Sequence, residues 1–278
     1  MKFLGIYREP AFSPGRHTHN DARILRLVGQ SLNQQGVDVR LCTLEEARAQ
    51  QKKADLIFSM CQGPLALAEL LEWKTEGSFI LNDPEASRRT YRDHLCSTLQ
   101  EKNLGFPHSE LIDTTAVIRP GDYERFFRNG AWLKRADVHA TQNADVVPLK
   151  SVDALAPALQ TFRARGLLKA VLQEHRAGDE VKFYAVQDGR LFWPFYPKDS
   201  EGYPFDGKEL ERMAAHAASA LGVGIYGGDA IISPDGKITL IDLNDWPSFA
   251  PCRGAAASAI AHYLKETYHA FQHRVSLR

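Results

Sequence analysis

Apolar positions in the first third of the chain alternate between short continuous runs and stretches with helical spacing. Lys2-Phe3-Leu4-Gly5-Ile6-Tyr7 reads as a buried strand. Ile24, Leu25, Val28 and Leu32 then share one face of a helix predicted over 22–35, with Asn20 or Asp21 as its cap and Gly36 as its stop. Strands follow at 37–42 and 55–60, separated by a short polar helix over 44–53. A further helix begins at Pro64 and ends near Gly77. Strands alternating with helices predict a small parallel sheet, and such sheets take ligands at the carboxyl ends of their strands. The loop from Arg8 to about His19 lies at such an end. Its Arg16, His17, His19 and Asn20 suit a phosphate or carboxylate; equally, it is a solvated loop in which Asn20 caps the helix. His17 and His19 lack the third ligand a metal site needs.

Beyond residue 79 the pattern changes. Phe79–Pro84 ends a strand and leads into a helix over 87–102 carrying Arg88, Arg89 and Arg92. Ala131–Lys134 is a strand, 152–165 a helix stopped by Gly166, and 170–174 another strand. Val181–Val186 and the aromatic run 191–196 flank an Asp188-Gly189 turn, a hairpin signal; core packing accounts for those aromatics more simply than ligand stacking. An alanine-rich helix over 208–221, stopped by Gly222, precedes a second hairpin, and an amphipathic helix over 255–271 closes the chain.

Composition narrows the class. The 278 residues are 44% apolar and 24% charged, ordinary for a globular chain with two or three modest cores. Lys plus Arg and Asp plus Glu balance at 34 each, so no global field attracts nucleic acid or a membrane surface. Cys42, Cys61, Cys96 and Cys252 are dispersed, as expected of reduced thiols in a cytoplasmic protein. No apolar run approaches a membrane span, and the amino terminus lacks a signal-peptide pattern.

The chemistry concentrates in the second hairpin. Ala230-Ile231-Ile232 and Ile238-Thr239-Leu240-Ile241 are joined by Pro234-Asp235-Gly236. Asp229 opens the first strand. Asp242 and Asn244 end the other, two residues apart and so on one face. Two carboxylates and an amide oxygen are the hard donors Mg²⁺ prefers. Each residue alone would pass as turn chemistry, but Asp242 lies between Leu240-Ile241 and Trp246-Pro247-Ser248-Phe249, where an unpaired carboxylate is costly.

This Gly-Asp strand, Asp-Gly turn and acid-x-Asn before Pro resembles the metal-binding signature of the ATP-grasp superfamily, with Asp242 where Glu is usual and Pro247-Ser248 for the usual Pro-Gly. The resemblance spans 80–264. It implies an N-terminal parallel βαβ domain (1–79) followed by an ATP-grasp fold, α/β overall and α+β in the ATP-grasp part. Two small subdomains (80–168 and 169–278) would clasp ATP between them. It implies Mg²⁺, with Mn²⁺ as a substitute, on Asp229, Asp242 and Asn244. Lys134, at the end of its strand, would reach a phosphate, as would Arg92, or Arg89 if the register slips, and Lys182. Backbone groups of Gln173, Glu174 and His175 would pair with adenine, and Glu180 would hold the ribose hydroxyls. The loop 135–143, glycine-rich in the superfamily, has no glycine here, so His139, Thr141, Gln142 and Asn143 are candidate side-chain donors. Lys134 followed by His139 also resembles the inositol trisphosphate 5/6-kinase branch. Arg253 is a candidate clamp for an anionic substrate, or else part of a surface ion pair.

Three functions follow. The first is an ATP- and Mg²⁺-dependent ligase that activates the carboxylate of an anionic small-molecule substrate as an acylphosphate for attack by an amine or other nucleophile. The second is a kinase transferring the γ-phosphate to a hydroxyl. The third is a nucleotide-binding module without catalysis.

Overall fold

The computed structural model describes residues 1–13, 17–119, 121–197 and 201–277. Arg16 lies outside them, as does the side chain of His17. The first four strands, β1 (Lys2–Ile6), β2 (Asp38–Cys42), β3 (Leu56–Ser59) and β4 (Ile80–Leu81), form a parallel sheet in the order β2-β1-β3-β4. Side chains of β1 alternate between its faces. Phe3 joins Ile24, Leu25, Val28 and Leu32 of α1 (His17–Gln34), together with Ile260 and Leu264 of the last helix, α8 (Arg253–Ser276). Leu4 and Ile6 face Leu67, Leu70 and Trp73 of α3 (Pro64–Thr75) on the other side. Covering both faces is what an all-parallel sheet requires.

Helix bounds depart from the periodicity where caps and breaks override it. α1 begins at His17 instead of 22, so His19 and Asn20 are helical and the first loop is shorter than expected. α2 (Leu44–Ala47) is one turn, closed by a Thr43/Glu46 capping box. The basic segment at 87–102 divides into α4 (Pro84–Arg89) and α5 (Arg92–Glu101). The break is at Tyr91, whose hydroxyl donates to the Gln62 carbonyl at 2.7 Å.

Two antiparallel sheets follow. In one, β5 (Ser109–Asp113), β6 (Ala131–Arg135), β7 (Val146–Leu149) and β8 (Lys169–Glu174) run in the order β5-β8-β6-β7. They pack Ile112, Leu133 and Leu172 on Leu159 and Phe162 of α6 (Leu155–Ala164). In the other, β9 (Asp179–Val186), β10 (Leu191–Phe195), β11 (Ile225–Ile232) and β12 (Ile238–Asp245) run in the order β10-β9-β11-β12. Its core includes Leu210, Ala214 and Leu221 of α7 (Gly207–Leu221), which ends on Gly222 at φ +82°, and Leu95 and Leu99 of α5. The aromatic strand β10 is an edge strand: Phe192 packs against this core as expected, while Trp193 is 42% exposed.

Candidate functional site

The hairpin strands β11 and β12 extend further than their β-branched runs, so the acids lie within the strands instead of at their ends. Asp229 pairs across the ladder with Asp242 on one side and with Lys182 of β9 on the other, forming a transverse row Lys182–Asp229–Asp242. Beside it runs the row Tyr184–Gly227–Asn244. A Cβ on Gly227 would sit 2.8 Å from a Tyr184 ring carbon and 2.9 Å from Pro247 Cγ, so glycine lets that wall close. These residues line a cleft of about 760 Å³. Its other walls are Arg8, Phe12 and Gln62 from the carboxyl ends of β1 and β3, Arg92 of α5, and residues 139–143 after β6.

The buried charges are paired. Arg92, 5% exposed, donates from Nη2 to Asp242 Oδ2 at 2.6 Å, and from Nη1 to the Arg135 and Val138 carbonyls at 3.4 Å each. Burial alone would raise the Asp242 carboxyl, but the Arg92 and Lys134 charges outweigh it and hold its pKa below the ordinary value. Asp229 shifts the other way, upward, because burial and the nearby Asp242 outweigh Lys182. Lys182 Nζ lies 2.9 Å from Asp229 Oδ1 and 2.6 Å from Glu180 Oε1. Burial works against its charge, but the two carboxylates dominate and raise its pKa. The alternative arginine, Arg89, points away, donating to the Leu221 carbonyl at the end of α7 at 3.2 Å.

Lys134 lies behind the cleft wall. Its Nζ donates to Gln173 Oε1 at 2.7 Å and reaches the Ile241 carbonyl, next to Asp242, at 3.4 Å. Burial lowers its pKa, with Arg92 adding to the effect and Asp242 opposing it. The buried side chain of Gln173 is therefore committed to Lys134 and, through Nε2, to Ser109 Oγ at 3.1 Å. Glu174 pairs with Arg176, and His175 Nδ1 accepts from Trp132 Nε1 at 3.1 Å. His139 Nε2 is 3.0 Å from the Phe12 carbonyl, which can only accept. Nε2 therefore carries the proton and Nδ1 a lone pair. Burial, then the Arg8 and Arg92 charges, push its pKa down to about 3, so the ring is neutral.

The structure thus gathers Arg92, His139, Lys182, Asp229, Asp242 and Asn244 in one cleft; Glu180 contacts Lys182 directly, while Lys134 reaches only the Ile241 carbonyl next to Asp242 and Gln173 lies behind Lys134. Glu174 and His175 are not among its walls. Nor is Arg253, which donates to Asn20 Oδ1 and ties α8 to α1. From the first loop, Arg8 faces the cleft, held by the Trp246 carbonyl at 2.6 Å and by Asp21 at 3.1 Å. Sequence reasoning passed over Arg8, Gln62 and Tyr184. The signal for the first two was available, since each lies within three residues of the carboxyl end of a parallel strand.

The donor set tolerates a hard cation. Among the described residues no group of three His, Cys, Asp or Glu side chains could hold a metal. What the cleft offers is the two adjacent carboxylates plus the Asn244 amide, for which no side-chain hydrogen bond is formed among the described residues. Asp229 commits only Oδ1 to Lys182, and Asp242 uses Oδ2 for Arg92 and Oδ1 for its neighbour's amide. So sparse a set suits Mg²⁺, which keeps waters and takes further oxygens from phosphates.

This fold, a parallel sheet followed by two antiparallel sheets, is shared with solved structures of ATP-grasp ligases. The D-alanine–D-alanine ligase from Bacillus anthracis, solved with ATP, superposes with a TM-score of 0.72 at 12% identity, covering 99% of each chain. The RimK-domain ATP-grasp protein from Sphaerobacter thermophilus gives 0.68 at 14%, over 95% of this chain and 99% of that one. The ATP-grasp ligase PsnB, solved with a minimal precursor, Mg and ADP, gives 0.66 at 16%, over 96% and 98%. No protein-family model matches the sequence, and no curated protein does. Among the described residues no helix is long and apolar enough to cross a membrane.

Proposed function

We propose that this chain is an ATP-dependent ligase that activates the carboxylate of a small molecule. The observation that carries the reading is the row Lys182–Asp229–Asp242, flanked by Asn244 and Arg92 in a single cleft of an ATP-grasp fold. Asp229, Asp242 and Asn244 would hold Mg²⁺, which when bound would neutralise phosphate charge. Lys182 and Arg92 hold the two carboxylates in place and add positive charge where a triphosphate gains negative charge in reaction. Lys134, braced by Gln173, adds a third cation from behind the strand.

In this reading a substrate carboxylate oxygen attacks the γ-phosphorus and ADP leaves. An amine, or another nucleophile, then displaces phosphate from the acylphosphate, losing its proton as the new bond forms. Protein groups contribute positioning and charge. The apolar residues along the cleft include Phe12, Tyr184, Phe195 and Pro247, while Arg8 is already paired with Asp21. That favours an acceptor with an apolar body.

The test follows the label from γ-labelled ATP and Mg²⁺ with a fractionated metabolite extract. Inorganic phosphate released only in the presence of a particular fraction supports the ligase and leads to the substrate. Label retained on an organic product overturns it in favour of phosphoryl transfer to a hydroxyl.

A further inference from the structure

The segment after β6 builds one wall of the cleft from His139, Ala140, Thr141, Gln142 and Asn143, without a glycine. Its shape is fixed from behind by Asp145, whose side chain is fully buried. Asp145 Oδ2 accepts the Thr141 amide at 2.8 Å, the Thr141 hydroxyl at 2.9 Å and the Gln142 amide at 3.2 Å. Oδ1 pairs with Arg165, which also donates to the Ala144 carbonyl at 2.7 Å, and Arg135 stands 3.7 Å from Oδ2. A carboxylate withdrawn from water is tolerated only while such donors stay in place, so these contacts select one loop conformation. The other end is fixed as well. Val138 is buried among Leu4, Ile6 and Tyr91, and His139 is held by the Phe12 carbonyl.

This arrangement decides which donors remain for a ligand. Two loop amides and the Thr141 hydroxyl serve Asp145, and His139 Nε2 serves Phe12. The Asp145 amide donates to the Gln142 main-chain carbonyl at 3.0 Å, and the Gln142 side chain forms no cap hydrogen bond, which leaves its NH₂ group. The Asn143 side chain makes no hydrogen bond among the described residues. Both side chains are exposed along the cleft.

We propose that Asp145 is a positioning residue for nucleotide phosphates: it sets the 139–143 wall before ligand arrives, so that phosphate meets the Gln142 and Asn143 side-chain amides instead of the loop backbone. The inference rests on the ATP reading above.

The test combines amide hydrogen exchange with calorimetric binding of the non-hydrolysable analogue AMP-PNP with Mg²⁺, on the full chain. In the unliganded wild type, the Thr141 and Gln142 amides exchange slowly. Asp145→Ala exposes them and weakens AMP-PNP about tenfold, the effect of losing a hydrogen bond or two at the phosphates. Asp145→Asn, which keeps one acceptor oxygen, falls between. The double variant Gln142→Ala/Asn143→Ala keeps both amides protected yet also loses about tenfold in affinity. Should Asp145→Ala fail to fold, the other two variants carry the test. Rapid exchange of these amides in the wild type, or unchanged affinity in the Gln142/Asn143 variant, overturns this proposal alone. A wild type that binds no AMP-PNP overturns the ATP reading and this proposal with it.

Discussion

The Arg92–Asp242 pair makes a substitution at either end two experiments at once, because both side chains are almost fully buried. Asp242→Asn preserves shape but leaves the Arg92 guanidinium uncompensated. It is expected to lower ATP turnover by about a hundredfold and stability by about 3 kcal/mol, with Arg92→Met recovering part of the stability and none of the turnover. Normal turnover in folded Asp242→Asn would remove this acid from the site. The pH dependence has a definite sign. With a folded pKa below its unfolded value, Asp242 contributes stability that is present above the unfolded value and lost as pH falls through the folded one. His139 acts over a higher window. Its folded pKa of about 3 lies below the ordinary imidazole value of 6.5, so the unfolded chain binds the extra proton between them. Stability therefore rises with pH across that interval, and His139→Gln should flatten the urea-derived slope there by up to one proton. An unchanged slope would mean that the ring is not buried as neutral imidazole.

At the scale of the element, the hairpin owes its precision to Gly228. A Cβ there would lie 2.5 Å from the Asp242 carbonyl and 2.5 Å from Phe183 Cζ, and the carbonyl is backbone that cannot swing aside. Gly228→Ala is expected to cost about 2 kcal/mol and, by displacing Asp242, to suppress turnover. Gly236→Ala in the turn, at φ +78°, should cost about 1 kcal/mol and leave turnover intact, which separates a site effect from general strain. Equal turnover in the two variants would count against it. The contrast also explains what was legible beforehand. Both strands and their turn could be read from β-branched runs around Pro-Asp-Gly, and the acids from their spacing. The strand lengths could not, because Asp229, Asp242 and Asn244 have poor strand propensity and pair only when burial and cross-strand partners override it. The same gap hid the break at Tyr91, where a distant contact to Gln62 intervenes, and the early start of α1.

For the whole molecule, the question is what aligns the parallel sheet with the hairpin it does not pair with. Asn82, just beyond β4, answers much of it. Its Nδ2 donates to the Ile225 carbonyl at 2.7 Å, its Oδ1 accepts the Gly224 and Ile225 amides at 3.1 Å each, and it also contacts Asp245. Trp246 stacks on Phe58 nearby, and Gln62 donates to the Asp245 carbonyl at 2.7 Å. One buried amide thus closes the start of β11 onto the end of β4, and the cleft's two main walls meet along that seam. Asn82→Ala strands two amides where water does not replace the lost partner, and leaves the Ile225 carbonyl only the Trp246 amide. It is expected to cost at least about 2 kcal/mol and to speed hydrogen exchange at Gly224 and Ile225 well before global unfolding. Turnover should fall with it, because Arg8 and Gln62 come from the sheet while Asp229, Asp242 and Asn244 come from the hairpin. If the exchange of those two amides and the denaturation midpoint both matched the wild type, the alignment would have to come from the apolar contact between Trp246 and Phe58, and Trp246→Leu would then be the variant that separates the walls.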